Sequence, residues 1–280
     1  MYTKIIFIFF LSFFSYSLSS LCDHLPPEGI GPLFSFGHTI LPKYEFGVGQ
    51  EVFYLKQKPH SGTFTGTLAY YGITDNFTGI LTIPIYSQTS TEFPGPKTGL
   101  ADIFLNFDYM LYKNETKNYR YRIIGMAGIR FPTSTVAART FFSFNRTNFF
   151  LGIVHDAMSI DGWYVYSDFG SILTNKKNHI KFGNLLLFNI GVGHIFCFKD
   201  DYFVIFFIEM SNFYSWPDIL NNIPDLTTGS NLLLIGPTLR LENKSFLIQG
   251  GIQCTASRFT RIETADNIKY FAGCLIAYIF

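Results

Sequence analysis

The stretch "DIFLNFDYMLYKNETKNYRYRIIGMAGIRF" (residues 102–131) decides the fold. Its two ends alternate between apolar and polar residues: Ile103, Leu105 and Phe107 oppose Asp102 and Asp108. Successive side chains of a strand point to opposite faces, so this alternation predicts two strands, each with one apolar and one polar face. The polar segment "KNETKN" (113–118) between them predicts the turn of an antiparallel hairpin.

The same period of two recurs along the chain. It predicts strands near 43–56, 61–73, 77–87, 100–112, 119–131, 148–157, 162–173, 183–198, 202–212, 231–241, 245–255 and 269–280. Many of these runs reach about ten to fourteen residues, which is longer than strands of soluble domains and long enough to cross a bilayer at a tilt.

The connections between these strands alternate in length. Short ones lie at 74–76, 113–118, 158–161, 198–201 and 242–245, and long ones at 87–99, 132–147, 213–230 and 256–268. Short turns at one end and long loops at the other are typical of outer-membrane barrels. The spacing therefore predicts an all-β fold: an antiparallel, transmembrane, up-and-down β-barrel of about 12 strands, with both termini on the periplasmic, short-turn side.

The composition is consistent with a membrane environment. Of 280 residues, 48% are hydrophobic and 19% aromatic, and only 15% are charged. Beyond residue 20 no run approaches the roughly 18 apolar residues of a spanning helix. A secreted, soluble β-sandwich would show the same alternation and remains an alternative. A net charge of +1 without a basic run gives no support for nucleic-acid binding.

The N-terminus predicts export. Lys4 precedes the apolar run "IIFIFFLSFF" (5–14), and the small residues Ser17 and Ser19 follow it. This is the pattern of a signal peptide, predicted here as residues 1–19 and cleaved. The Pro- and Gly-rich segment 20–42 then forms either a loose periplasmic tail or a plug inside the barrel, and 43–280 form the barrel itself.

Several motifs together resemble one family. They are "YGITDNF" (71–77), "TGLADIFLNFDYML" (98–111), "AGIRFPTST" (127–135), "GWYVYSDFG" (162–170), "LLLFNIGVGHIF" (185–196) and "LLLIGPTLRL" (232–241). In order and spacing they are similar to the MetA-pathway of phenol degradation family of bacterial outer-membrane proteins, whose members are described as transporters. The resemblance implies an outer-membrane β-barrel of a Gram-negative bacterium and, for some members, uptake of small hydrophobic or aromatic compounds. The segments "GLAD" and "PTST" depart from the family's glycine-richer pattern.

The polar faces of the strands predict the lining of the lumen. By parity, the charged lumen-lining residues are Glu45, Glu51, Asp102, Asp108, Arg122, Arg130, Asp168, Glu209 and Arg240. Two interpretations are open: a selectivity lining for a solute, or a set of mutual ion pairs that fills a narrow barrel. Folding the hairpin about 113–118 predicts that Asp108 lies level with Arg122 and Asp102 nearer Arg130.

Two further features test this interpretation. Pro84 and Pro237 fall inside predicted strands, and each removes one ladder hydrogen bond, so we expect a bulge or a strand end near both. The segment "HDAMS" (155–159) brings a histidine, an aspartate and a serine together in sequence, but without the setting of a hydrolase. We predict no catalytic residues, no metal site and no cofactor.

The sequence therefore predicts an outer-membrane channel or transporter for small solutes, hydrophobic or aromatic ones among them. Its predicted partners are outer-membrane lipid, a small-molecule solute and the outer-membrane assembly machinery, through the C-terminal strand that ends in Phe280. A structural or adhesive barrel with a filled lumen is the alternative within the membrane, and the secreted sandwich is the alternative outside it.

Overall fold

The computed structural model describes residues 33–34, 39–58, 61–88, 98–135, 146–177, 179–198, 202–260 and 267–280. The predicted signal peptide lies outside these residues. The strands are β1 (Phe46–Lys58), β2 (Ser61–Thr74), β3 (Phe77–Gln88), β4 (Thr98–Leu100), β5 (Phe104–Glu115), β6 (Tyr119–Arg130), β7 (Asn148–Ser159), β8 (Trp163–Thr174), β9 (Lys176–Lys177), β10 (Ile180–Lys181), β11 (Leu185–Phe198), β12 (Tyr202–Ser215), β13 (Asp218–Leu220), β14 (Ile223–Asp225), β15 (Ser230–Glu242), β16 (Phe246–Thr260) and β17 (Asn267–Ile279). Within the described part of the chain, no helix has the length and apolar character needed to cross a membrane.

Twelve long strands form a closed ring. Each pairs antiparallel with the strands before and after it in the series β1, β2, β3, β5, β6, β7, β8, β11, β12, β15, β16 and β17. The ring closes where β1 pairs with β17, from Gly47 opposite Ile279 to Lys58 opposite Asn267. The predicted antiparallel barrel of about 12 strands is confirmed. Some strands continue past the residues that alternate most clearly, because the hairpin ladders extend toward the long loops: β16 runs to Thr260 rather than 255.

The two ends of the barrel differ in the way the sequence predicts. β2 and β3 are joined by Asp75 and Asn76 alone, at the same end as the two termini of the barrel. The opposite end carries the short strands: β4 pairs with β3, and β9, β10, β13 and β14 form a small separate sheet. At the tip of that sheet, the amide and hydroxyl groups of Thr227 donate to Asp225 and hold the pKa of its carboxyl below the usual value.

The wall is apolar on its outer face. Leu111, Leu151 and Ile85 are 56%, 55% and 51% exposed, although all three lie in long ladder strands. Aromatic residues mark the short-turn rim, where the ring of Phe280 packs 4.7 Å from Tyr278. A soluble sandwich would bury such residues between two sheets. The closed ring and its exposed apolar face rule out the sandwich alternative.

Both prolines coincide with interruptions of the ladder. On one side, Pro84 pairs with Gly66 of β2. On its other side the ladder is interrupted: β4 ends at Leu100, opposite Ile85, and β5 begins only at Phe104, opposite Thr82. The irregular residues 101–103 separate these two strands. On β15, the pairing with β16 passes from Ile235 directly to Thr238 and so omits Pro237. The predicted local disturbances are confirmed, and they occur because proline has no N–H to donate.

Candidate functional site

The candidate site is the interior of the barrel, where the charged residues of the inward faces are concentrated. Seven of the nine charged residues predicted from parity are buried there, with exposed fractions of 5% or less. These seven are Asp102, Asp108, Arg122, Arg130, Asp168, Glu209 and Arg240. Glu51 of β1 and Glu45, just before β1, share the inward parity and are half-buried. Whether these residues line a solute pathway stays a prediction.

At the short-turn end, ion pairs hold the buried arginines. Arg122 of β6 lies directly opposite Asp156 of β7, and its Nε and Nη2 atoms both donate to that carboxylate, Nε at 3.0 Å. Arg240 and Glu242 pair on the same strand, two residues apart and both inward. Asp156 and Glu242 were not among the residues predicted from parity. Asp156 has inward parity within the predicted strand 148–157, and Glu242 has inward parity directly after the predicted strand 231–241. The same alternation could therefore have predicted both.

The predicted pairing of Asp108 with Arg122 is wrong. The register of the β5–β6 hairpin places Asp108 opposite Met126, and Arg122 opposite Lys113 beyond a bulge at residues 110–112. Asp108 instead accepts a hydrogen bond of 2.7 Å from the backbone N–H of Thr39. Parity predicted the correct face for both residues, but the level of each was set by the bulge and by the second neighbour, β7.

A second charged group lies toward the long-loop end. Arg130 interacts electrostatically with Asp102, as the hairpin geometry predicts, and its guanidinium stacks 3.9 Å from the ring centre of Phe104. Asp102 also accepts a hydrogen bond from the backbone N–H of Ser134. Arg146, which the parity argument missed because it precedes a strand, donates to the carbonyl of Ile180.

The middle of the interior is acidic. Asp168 accepts a hydrogen bond of 2.6 Å from the side-chain amide of Asn189, opposite it on β11. Tyr166 is fully buried and interacts electrostatically with both Asp168 and Glu209. On the other side of the barrel, Glu51 and Asp108 flank Tyr70.

Residues preceding β1 also lie inside the barrel. Leu33, Phe34, Ile40 and Leu41 are buried, and Phe34 packs with its ring centre 5.4 Å from that of Phe271. The backbone N–H of Leu41 donates to the Thr78 hydroxyl at 2.8 Å. The described part of segment 20–42 therefore contacts the inward faces of the strands, and the remainder of the segment lies outside the described residues.

The segment "HDAMS" does not form a catalytic group. His155 and Asp156 are consecutive in β7 and point to opposite faces of the wall. Asp156 faces inward to Arg122, while the His155 ring packs against Tyr121, 4.8 Å between ring centres. Among the described residues, no three His, Cys, Asp or Glu side chains are grouped so that they could hold a metal ion.

Comparison with known proteins rests on the fold. An outer-membrane channel from Pseudomonas putida F1 matches with a TM-score of 0.67 at 10% identity, over 90% of this chain and 100% of that one. The NanC porin matches with a TM-score of 0.45 at 8% identity, over 83% and 99% of the two chains. The β domain of the Bordetella autotransporter BrkA gives 0.44 at 10% identity, over 84% and 97%. No family model and no curated protein matches the sequence.

The fold likeness agrees with the physical character of the wall. Every long strand pairs on both sides, so the described part of the barrel leaves no open sheet edge. A closed barrel satisfies all its backbone hydrogen bonds internally, and its apolar outer face can contact lipid. The chain is a β-barrel protein of the bacterial outer membrane.

Proposed function

We propose that the protein is a channel or transporter that passes small solutes through the interior of its barrel. The observation that carries this proposal is a set of buried polar atoms that lack hydrogen-bond partners among the described protein atoms. It includes one oxygen of Asp108, both oxygens of Glu209, and the side-chain oxygens of Thr238 and Gln253. Buried polar groups are normally paired, because an unpaired one costs about 1–3 kcal/mol.

These atoms favour a passage over an inert filling. A barrel whose interior served only as a brace would satisfy its polar groups internally, as Arg122 does with Asp156. Acceptors left over in the middle of the interior are suited to water or to a passing solute. The outer-membrane channel with the same fold supports the proposal at the level of architecture. The expected preference for hydrophobic or aromatic solutes comes from the family resemblance and remains a prediction.

The second candidate is a structural or adhesive barrel with a filled lumen. It is favoured by one observation, the packing of Leu33, Phe34 and Leu41 against residues of several strands. In this function the exposed long-loop end would bind a partner, and the interior would conduct nothing.

Reconstitution separates the two functions. Planar-bilayer conductance and liposome swelling with sugars, amino acids and aromatic acids should detect permeation through the wild-type barrel. Arg130→Ala should raise the conductance and shift ion selectivity toward cations, because Asp102 loses its positive neighbour. Lys113→Ala, at an exposed position of the short-turn end, is the control and should leave both unchanged. Absence of swelling and of conductance in the wild type and in Arg130→Ala would contradict the channel and favour the filled barrel.

The assembly partner is a separate proposal. The chain ends with an aromatic strand, and the backbone N–H of Phe280 donates to the Phe46 carbonyl at 2.8 Å. We infer that the outer-membrane assembly machinery recognises this strand. Phe280→Ala should reduce the folded, heat-modifiable fraction in cells but not the fraction refolded from urea into detergent. An equal loss in both would mean that Phe280 acts only in stability.

A further inference from the structure

One register row of the barrel brings polar side chains together at a single buried carboxylate. Reading across adjacent strands, Tyr166 of β8 pairs with Gly191 of β11, Gly191 pairs with Glu209 of β12, and Glu209 pairs with Gly236 of β15. The backbone of Gln253 on β16 lies against Gly236 on the far side. Glu209 is therefore flanked on both sides by a strand position that has no side chain.

The two glycines create the space that the neighbouring side chains use. The Tyr166 ring lies over Gly191, so that a Cβ built there would be 2.1 Å from the ring. Tyr166 can thereby extend across one strand toward Glu209. At Gly236 a Cβ would be 1.8 Å from the Ile252 carbonyl oxygen, so the neighbouring backbone comes close to this strand. Any larger residue at either glycine would separate the polar groups of the row.

The polar groups in and next to this row are buried and supply oxygen atoms. Glu209, Tyr166 and Gln253 are 0% exposed and Thr238 is 1% exposed. The Tyr166 and Thr238 hydroxyls and the Phe34 backbone N–H face the carboxylate. None of them reaches a carboxylate oxygen in normal hydrogen-bond geometry, and the carboxamide oxygen of Gln253 also lacks a protein partner among the described residues. The nitrogen of that carboxamide donates to Ser211 at 3.1 Å, which leaves its oxygen free to accept.

The nearest arginine on the inward face of β15 is committed to another carboxylate. Arg240 lies one inward position beyond Thr238 on β15, and it attracts Glu209 at long range. Its guanidinium is directed to Glu242, to which both Nε and Nη2 donate. Because Glu242 takes up the Arg240 guanidinium, Glu209 has no ion-pair partner among the described residues. Burying an unpaired carboxylate is costly unless a proton or a cation neutralises it.

We propose that Glu209, Tyr166, Thr238 and Gln253 form a binding site for a monovalent cation, either an alkali ion or a protonated amine. Carboxylate, hydroxyl and carboxamide oxygens are ligands that hard cations and ammonium groups share. The proposal rests on the proposed channel function in one respect: within a channel, the site would select positively charged solutes. The binding itself requires no conduction, so the two can fail separately.

The test measures stability as a function of the cation. Purified full-length protein in detergent at pH 8 is unfolded by heat in K⁺, Na⁺ or methylammonium chloride, and in the bulky N-methylglucamine chloride at equal ionic strength. A small cation at about ten times its dissociation constant should raise the midpoint by about 3–6 °C over the bulky one, from the free energy of ligand binding and the usual response of the midpoint. The better of K⁺ and methylammonium shows which class the site prefers.

Two variants and one control make the outcome decisive. Glu209→Gln should abolish the difference between small and bulky cations and should raise the midpoint in N-methylglucamine, because a buried carboxylate without an ion-pair partner is removed. Thr238→Val, which keeps the carboxylate and the volume, should reduce the difference. Asp161→Asn removes the same charge from an exposed short turn, and it should leave the difference between small and bulky cations unchanged.

Each result has one interpretation. A wild-type midpoint that is independent of the cation, or a dependence that survives in Glu209→Gln, would overturn the site. Cation-dependent stability in a protein that shows no conductance would overturn the channel and leave the site standing. The third outcome is a wild-type protein that conducts but has a midpoint independent of the cation, with the same ion selectivity in Glu209→Gln. That outcome would support the channel and overturn the site.

Discussion

Removing Asp156 should be among the most destabilising single substitutions in the barrel. Its carboxylate binds Arg122 through two donors, and the exposed fractions of the Arg122 and Asp156 side chains are 3% and 2%. Asp156→Ala leaves the guanidinium buried without this partner, which costs about 3–5 kcal/mol for a pair of this kind. The buried Arg120 and Arg240 also interact electrostatically with Tyr164, so they offer the freed guanidinium no compensating charge.

The measurement is equilibrium unfolding by guanidinium in detergent micelles, followed by tryptophan fluorescence and by heat-modifiable gel migration. The matched control is Lys113→Ala, which breaks an exposed pair with Glu115 of 2.9 Å. Exposed pairs contribute about 0–1 kcal/mol, so this variant should unfold almost as the wild type does. The double variant Arg122→Met, Asp156→Leu removes both charges and should be more stable than Asp156→Ala, because apolar replacement of a complete buried pair is often neutral.

Two outcomes would refute this reasoning. If Asp156→Ala cost no more than Lys113→Ala, the interior at this level would be hydrated enough to screen a lone arginine. If the double variant lost as much as the single variants Arg122→Met and Asp156→Leu together, the two residues would not be coupled. In either case the ion pairs would not be braces of the barrel.

Two further predictions concern the wall and the segment before β1. Ile153→Arg, on the lipid-facing surface of the middle of β7, should lower the free energy of unfolding in vesicles by about 2–4 kcal/mol, whereas Phe280→Arg at the rim should cost about 0–1 kcal/mol; equal costs would mean that the membrane band is wrongly located. Gly72→Ala should release the segment before β1 to added protease and cost about 1–3 kcal/mol, because its Cβ would lie 1.9 Å from the Pro42 carbonyl oxygen. Gly79→Ala, whose nearest contact would be an ordinary 3.5 Å, is the control, and equal protection of the two variants would contradict the docking of this segment.

The sequence by itself determined the class of fold and the faces of its strands. Alternation in 102–131 is a local property of the extended chain, because neighbouring side chains point to opposite sides whatever the strand pairs with. The same reasoning placed Asp108, Arg122 and Glu209 on the inward faces, where all three are buried. Turn lengths added the strand number and the position of the termini, since an up-and-down barrel places alternate connections at opposite ends.

Only the tertiary structure decided which charged residues meet. Every strand has two neighbours, and parity does not say which one supplies a partner or at what level: Arg122 pairs across to β7 and Asp156, not back along its hairpin to Asp108. The bulge at residues 110–112 and the closure of β1 on β17 fix these levels through long-range pairing. The convergence on Glu209 is of the same kind, because it depends on Gly191 and Gly236 falling in one row of three strands. Such a row exists only once the register of the whole ring is set, so no local pattern could have shown it.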